Sequence, residues 1–170
     1  MAWTVAPEPH DSPVAAALWR AYYTEVSDRW YLRHEGRRTD PRELEREIAA
    51  GAADTGLAPP RGLLLVARYG SAPAGTAGLR LLDAATAELT RVFVTAALRG
   101  RAGAELLVGA AEEEAAGLGA RRMVLDTRSD LTEARALYAR LGYAETAPHN
   151  SGPYAEHWFA KPIGGVPERG

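Results

Sequence analysis

Short runs of strand character alternate along the chain with longer stretches in which apolar residues recur every three to four positions, and turn residues mark the changes. Trp3 to Ala6 reads as a short first strand. Ser12 and Pro13 then open a long helix: the hydroxyl caps free amides, and proline at the first helical position loses no hydrogen bond. Leu18, Trp19, Tyr22, Tyr23 and Val26 carry this helix toward Trp30, and it breaks before Gly36. Asp40, Pro41 and Glu43 open a second helix that ends near Gly51, with Asp40 as cap and Glu43 reaching back as a capping box.

After a loop from Ala52 to Gly62 the pattern turns to sheet. Leu63–Tyr69 is almost continuously apolar, as a central strand is, and Ala74–Leu82 and Thr86–Thr95 follow across the turns Gly70–Pro73 and Asp83–Ala85. Three strands in series predict an antiparallel meander. From Gly103 to Leu118 the residues Leu107, Ala111, Ala115 and Leu118 restore helical spacing, and Gly117 and Gly119 end it. Arg122–Thr127 is again a strand. Asp130 and Glu133 predict a capping box for a helix with Ala134, Leu137, Tyr138 and Leu141 on one face, stopped by Gly142. Glu156–Pro162 reads as the last strand, which gives one domain over residues 1–163 and a loose tail over 164–170.

Composition narrows the function. A chain of 170 residues, 46% hydrophobic, 25% charged and with a formal charge of −2, fits one soluble folded domain and lacks the basic excess expected of a nucleic-acid binder. The absence of cysteine removes disulfides, thiolate metal sites and cysteine nucleophiles, and no metal role is expected. Met1–His10 holds no basic stretch followed by an apolar one, and no run approaches the about 20 apolar residues a membrane span needs. A cytoplasmic location without membrane contact is the expectation. Lys161 is the sole lysine, so the wealth of arginine reflects compositional drift and says nothing by itself.

Chemistry concentrates where strand gives way to helix. Arg99, Gly100, Arg101, Ala102, Gly103 and Ala104 place small residues and two guanidinium groups at a helix start, where exposed amides and the helix dipole favour an anion and arginine can bond phosphate oxygens in pairs. The run is neither a P-loop nor a dinucleotide fingerprint. With the following strand Met123–Asp126 and the helix bearing Leu137-Tyr138-Ala139-Arg140-Leu141-Gly142-Tyr143, the order resembles the GNAT acetyltransferase superfamily over roughly Leu63 to Ile163. The motifs are Arg/Gln-x-x-Gly-x-Gly/Ala and Leu-Tyr-x-x-x-Gly-Phe/Tyr. Ala102 departs from the first motif glycine, and Leu131 stands where many members carry asparagine.

The resemblance implies an α+β fold, a mixed, mostly antiparallel central sheet flanked by helices, and transfer of an acetyl group from acetyl-CoA to a primary amine by direct attack in a ternary complex. It places the pyrophosphate on Arg99–Ala104, with weakened or adjusted binding rather than loss where Ala102 replaces glycine, and pantetheine and acetyl along a distorted strand at Val92, Phe93 and Val94. Attack needs a neutral amine, and neutralising an alkyl ammonium at pH 7 costs about 4 to 5 kcal/mol. Glu88, one strand before the cofactor loop, is the candidate base, with His149 and His157 as rivals. Tyr138 is the candidate donor to the departing sulfur. Tyr22, Glu25 and Trp30 on the first helix, and Tyr154 on the facing loop Pro148–Tyr154, are candidate acceptor contacts. The acceptor is expected to be a small molecule. A protein or peptide amine, and a non-catalytic acyl-CoA-binding module, are the alternatives, and homodimerisation stays open.

Overall fold

A computed structural model describes residues 2–54 and 56–164, so the end of the expected tail, 165–170, lies outside the described residues. Strand β1 (Trp3–Glu8) leads into α1 (Pro13–Glu35) and α2 (Pro41–Ala52). The meander β2 (Gly62–Tyr69), β3 (Ala72–Leu81) and β4 (Thr86–Val94) follows, then a single 3-10 turn at Ala96–Leu98 and α3 (Gly103–Gly117). β5 (Arg122–Thr127), α4 (Thr132–Arg140), β6 (Ala144–Glu145) and β7 (His157–Pro162) complete the order. The strands form one seven-stranded sheet in the order β1-β2-β3-β4-β5-β7-β6, antiparallel throughout except for the parallel pair β4–β5.

Both faces of the sheet are covered, which is why its strands read as apolar runs. On one face Leu107, Val108, Ala111 and Ala115 of α3 and Leu137 and Tyr138 of α4 are buried with Leu65, Ala67, Leu79, Leu89, Met123 and Leu125. On the other, Ala15 of α1 meets Leu64 and Leu57. Because side chains alternate across a strand, Glu88 and Asp126 fall on the α1 face, opposite to Ala87, Leu89, Met123 and Leu125.

The helix starts differ in an instructive way. Ser12 caps α1 through a 3.0 Å bond from the Ala15 amide, as expected. Asp40 caps α2 by accepting from the amides of Arg42 and Glu43, but the Glu43 carboxylate does not reach back; it accepts from the Tyr31 hydroxyl at 2.5 Å and ties α2 to α1. The capping box expected at Asp130 and Glu133 does not form. The residue preceding α4 is Leu131, without a side-chain cap, because Asp130 is taken by the Arg128 guanidinium through two 2.9 Å bonds and Glu133 by Arg29 at 3.1 Å. A buried charge-assisted pair outcompetes one helix amide. The two-residue strand β6 is too short for its sequence to announce.

Candidate active site

The site opens where the sheet comes apart. β4 and β5 pair only from Thr86–Arg122 to Glu88–Val124; beyond that they diverge and leave a cleft of about 790 Å³ between β4, α1, α3 and α4. Past the last pair, β4 also leaves register with β3. Thr76 pairs with Phe93 and Gly78 with Thr90, so Arg91 and Val92 stand opposite Ala77 alone. Arg91 carries the bulge in a left-handed conformation, φ 54°. The distortion expected at Val92–Val94 thus begins one residue earlier, and all three of those residues line the cleft.

At the cleft's mouth lies the loop before α3. Gly100 and Ala102 take positive φ, 79° and 64°, which turns the chain so that the first amides of α3 face the cleft. Arg99, Gly100, Ala102, Gly103 and Ala104 line it; Arg101 does not, its guanidinium lying 5.4 Å from the Tyr69 ring. Trp3, whose place in a short first strand gives no local sign of a role, buttresses this loop. Its indole N–H donates to the Arg101 carbonyl at 2.8 Å, and its ring lies so close to Gly103 that a Cβ there would sit 2.6 Å away. Small residues, outward amides and an arginine suit a pyrophosphate, and the cleft behind is large enough for an extended thiol arm.

Glu88 sits at the apex, where β4 and β5 part, and is 6% exposed. Arg80, its cross-strand neighbour, holds one carboxylate oxygen at 2.9 Å, and His149 Nε2 lies 3.1 Å from the other. Asp126, at the end of β5 and not among the residues expected at the site, lines both this cleft and the pocket beyond it. Its Oδ2 accepts from Asn150 at 2.7 Å. One ligand atom each from Glu88, Asp126 and His149 lies within 4.8 Å of the others, a spacing open to a cation, and the Arg80 guanidinium already supplies positive charge beside Glu88. His157 faces elsewhere, its Nε2 2.9 Å from the Ser129 hydroxyl.

Tyr138 lines the opposite wall, packed against Tyr143 and Phe159 with ring centroids 5.8 and 6.4 Å away. Burial raises its pKa well above the usual tyrosine value, so the hydroxyl stays protonated as a donor.

Beyond Asp126 the cleft continues into a pit of about 170 Å³, lined by Tyr22, Tyr23, Trp30, Tyr31, Arg128 and Tyr154 among others. Tyr154 meets Trp30 edge-on at 5.2 Å, so that α1 and the loop before β7 both wall the pit. Burial lifts the Tyr23 hydroxyl to about 12 and raises that of Tyr22. Three of the four expected acceptor residues, Tyr22, Trp30 and Tyr154, therefore meet in one place. Glu25 lies on the main cleft instead, paired with Arg99 at 2.6 Å.

Solved structures share this architecture. An aminoglycoside 6'-N-acetyltransferase complexed with coenzyme A is 18% identical with a TM-score of 0.61, covering 97% of this chain and 99% of its own. The ribosomal-protein-S18-alanine N-acetyltransferase of Escherichia coli is 17% identical with a TM-score of 0.63, covering 99% of this chain and 98% of its own. A PaiA N-acetyltransferase of Thermoplasma acidophilum, in complex with coenzyme A, is 13% identical with a TM-score of 0.73, covering 96% of this chain and all of its own. No curated protein sequence matches the chain. Among the described residues no helix is long and apolar enough to cross a membrane. Residues 15–143 match the Acetyltransferase (GNAT) family, and with the parted strands, the bulged β4 and the small-residue loop at α3, this chain belongs to that family of acetyl-CoA-dependent acyltransferases.

Proposed function

We propose that this protein moves the acetyl group of acetyl-CoA to a primary amine of a small molecule, by direct attack in a ternary complex. The observation that carries the acceptor class is the small size of the aromatic pit, about 170 Å³, walled on one side by the Trp30–Tyr154 contact. That is the space of roughly five or six water molecules. A compact amine fits this space whole, whereas a peptide can place only its terminal amine or one side chain there, with the rest of its chain left outside. Aromatic faces with a carboxylate at the entrance suit an ammonium group, and Asp126 stands at that entrance.

Acetyl-CoA supplies the activated acyl group; the chain supplies placement and proton transfer. The Arg99–Ala104 loop and the first amides of α3 take the pyrophosphate, and Val92, Phe93 and Val94 flank the thiol arm. Glu88 and Asp126 draw the ammonium into the apex and take up its proton, Glu88 through water or its His149 partner, because both of its oxygens are already engaged. As the new carbon–nitrogen bond forms and the carbon–sulfur bond breaks, Tyr138 donates a hydrogen bond to the departing sulfur. Its raised pKa makes it a hydrogen-bond donor rather than a full proton source. The ammonium's first proton passes through the carboxylates to solvent, and the second, lost from nitrogen as the amide forms, reaches the departing sulfur through water, so that coenzyme A leaves as the thiol.

The pit is tested by opening it. Trp30→Ala and Tyr154→Ala should each raise KM for a small amine about tenfold or more while KM for acetyl-CoA stays parental. Unmoved amine KM values, or a parent enzyme that prefers peptide amines, would exclude the small-molecule reading.

A further inference from the structure

Arg91 is unusual in three ways at once. It occupies a left-handed conformation, φ 54°, in the middle of a strand. Its guanidinium is drawn largely out of water, which lowers its pKa, yet among the described residues it makes no hydrogen bond or ion pair with a carboxylate. It is held instead by neutral groups of the two N-terminal helices: Nη2 donates to the Gly51 carbonyl at 2.7 Å, and the guanidinium carbon lies 3.9 Å from the centre of the Trp19 ring.

The clamp is built on both sides. Trp19 is fixed by its own indole N–H, which donates to the Ile48 carbonyl at 2.9 Å. Gly51 has no room for a side chain, since a Cβ would lie 2.1 Å from the Trp19 ring. On the strand side, the Thr76 hydroxyl donates to the Arg91 carbonyl at 2.7 Å and holds the bulge open. One side chain therefore joins the bulged strand to the junction of α1 and α2. α1 is the helix that carries Tyr22 and Trp30 into the acceptor pit, and Tyr22 in turn touches Phe93, with ring centres 5.4 Å apart.

We propose that Arg91 is a positioning residue for acetyl transfer: clamped between Trp19 and the Gly51 carbonyl, it fixes the β4 bulge beside the thioester and sets the distance from that bulge to the acceptor wall on α1. The inference rests on the acetyl-transfer reading above. Lysine cannot replace it, because a compact ammonium does not lie flat on an indole while donating sideways to a carbonyl. The pyrophosphate loop has its own support from Trp3, so Arg91 acts on the reacting end of the cleft and not on cofactor affinity.

Arg91→Gly is the discriminating variant, since glycine adopts the positive φ freely and only the clamp is lost. With a small primary amine as acceptor, kcat should fall at least about tenfold and the amine KM should rise, while the calorimetric acetyl-CoA Kd stays within about twofold of the parent. Arg91→Lys should not restore kcat. Trp19→Leu, which removes the stacking face from the other side, should give the same split and decides the matter if the glycine variant does not fold. Independently of turnover, hydrogen exchange should speed up together at residues 90–93 and 48–52 in Arg91→Gly. Parental kcat, an equal loss of acetyl-CoA affinity, full rescue by lysine, or loosening of only one of the two segments would each overturn the assignment. A parent that shows no amine-dependent turnover would instead refute the acetyl-transfer reading, and the exchange result would still judge the clamp.

Discussion

Replacing Ala102 by glycine should stabilise the protein without changing how it holds acetyl-CoA. Ala102 precedes α3 with φ 64° and ψ 18°, and its side chain makes no capping bond. A residue with a Cβ costs about 1–2 kcal/mol in that region. Glycine removes this cost but gives up about 0.4–1 kcal/mol through its freer unfolded chain. The net is a gain of about 0.5–1 kcal/mol, which for a chain of this size raises Tm by about 1–4 °C. The turn itself is held from outside, by the Trp3 indole on the Arg101 carbonyl and by Gly103 against the same ring, so the amides that face the cleft should not move. Thermal unfolding of parent and Ala102→Gly, each with and without acetyl-CoA, checks both halves. The expected result is a higher Tm and an unchanged acetyl-CoA-induced increment. A lower Tm would mean that Ala102 is unstrained. An increment that grows substantially would mean that the alanine methyl weakens the anion seat.

The other expectations follow from the same geometry. Tyr138→Phe keeps the ring against Tyr143 and Phe159 but removes a donor to a developing negative charge, worth about 1.5–3 kcal/mol, so kcat should fall about tenfold to 150-fold with acetyl-CoA affinity unchanged; parental kcat under rate-limiting chemistry would assign the residue to the core. Glu88→Gln should cost most near neutral pH and recover as pH rises toward the amine's own pKa of about 10.4, whereas superimposable pH–rate profiles would remove Glu88 from the proton path. Burial raises the pKa of Tyr22, Tyr138 and Tyr143 in the folded chain, so above about pH 10 the unfolded chain loses protons that the folded chain keeps. The stability they contribute is complete below that pH and declines above it, by about 1.4 kcal/mol per pH unit for each. The chain has seven tyrosines and Tyr154 is exposed, so part of the tyrosinate absorbance should appear only with unfolding, and complete titration of all seven in a still-folded protein would contradict the burial of these three.

How much of this was legible in the sequence depended on the range of the interactions involved. Ser12 with Pro13, Asp40 with Pro41, and Gly36 after the first helix declare element boundaries through local conformation and bonds made within a few residues, and those boundaries stand, while Gly51 and Gly117 fall within the last turns of their helices. The loop from Arg99 to Ala104 was readable for the same reason. Asp130 misled because its carboxylate had a stronger partner in Arg128 than the helix amide that a local pattern presumes. Trp3, Arg91 and Asp126 escaped notice because their roles arise from distant segments: Trp3 meets a loop 98 residues away, and Arg91 a carbonyl 40 residues earlier. Asp126 had one local signal, its place at the end of the apolar run Met123–Leu125 just before a loop, where neighbouring strands of an open sheet commonly part around a ligand. Glu25 read as an acceptor carboxylate, but its Arg99 partner lies 74 residues on.

The central claim is that the cleft between β4 and β5 passes an acetyl group from acetyl-CoA to a small amine. It is tested most directly by following thiol release from acetyl-CoA with this protein alone, with a panel of compact primary amines, and with peptides bearing free amino termini or lysines, and by weighing the products. The account predicts release that depends on a small amine, with one N-acetylated product per thiol freed. Acetyl-CoA that binds and raises Tm but is consumed with no amine, or only with the peptides, would contradict it.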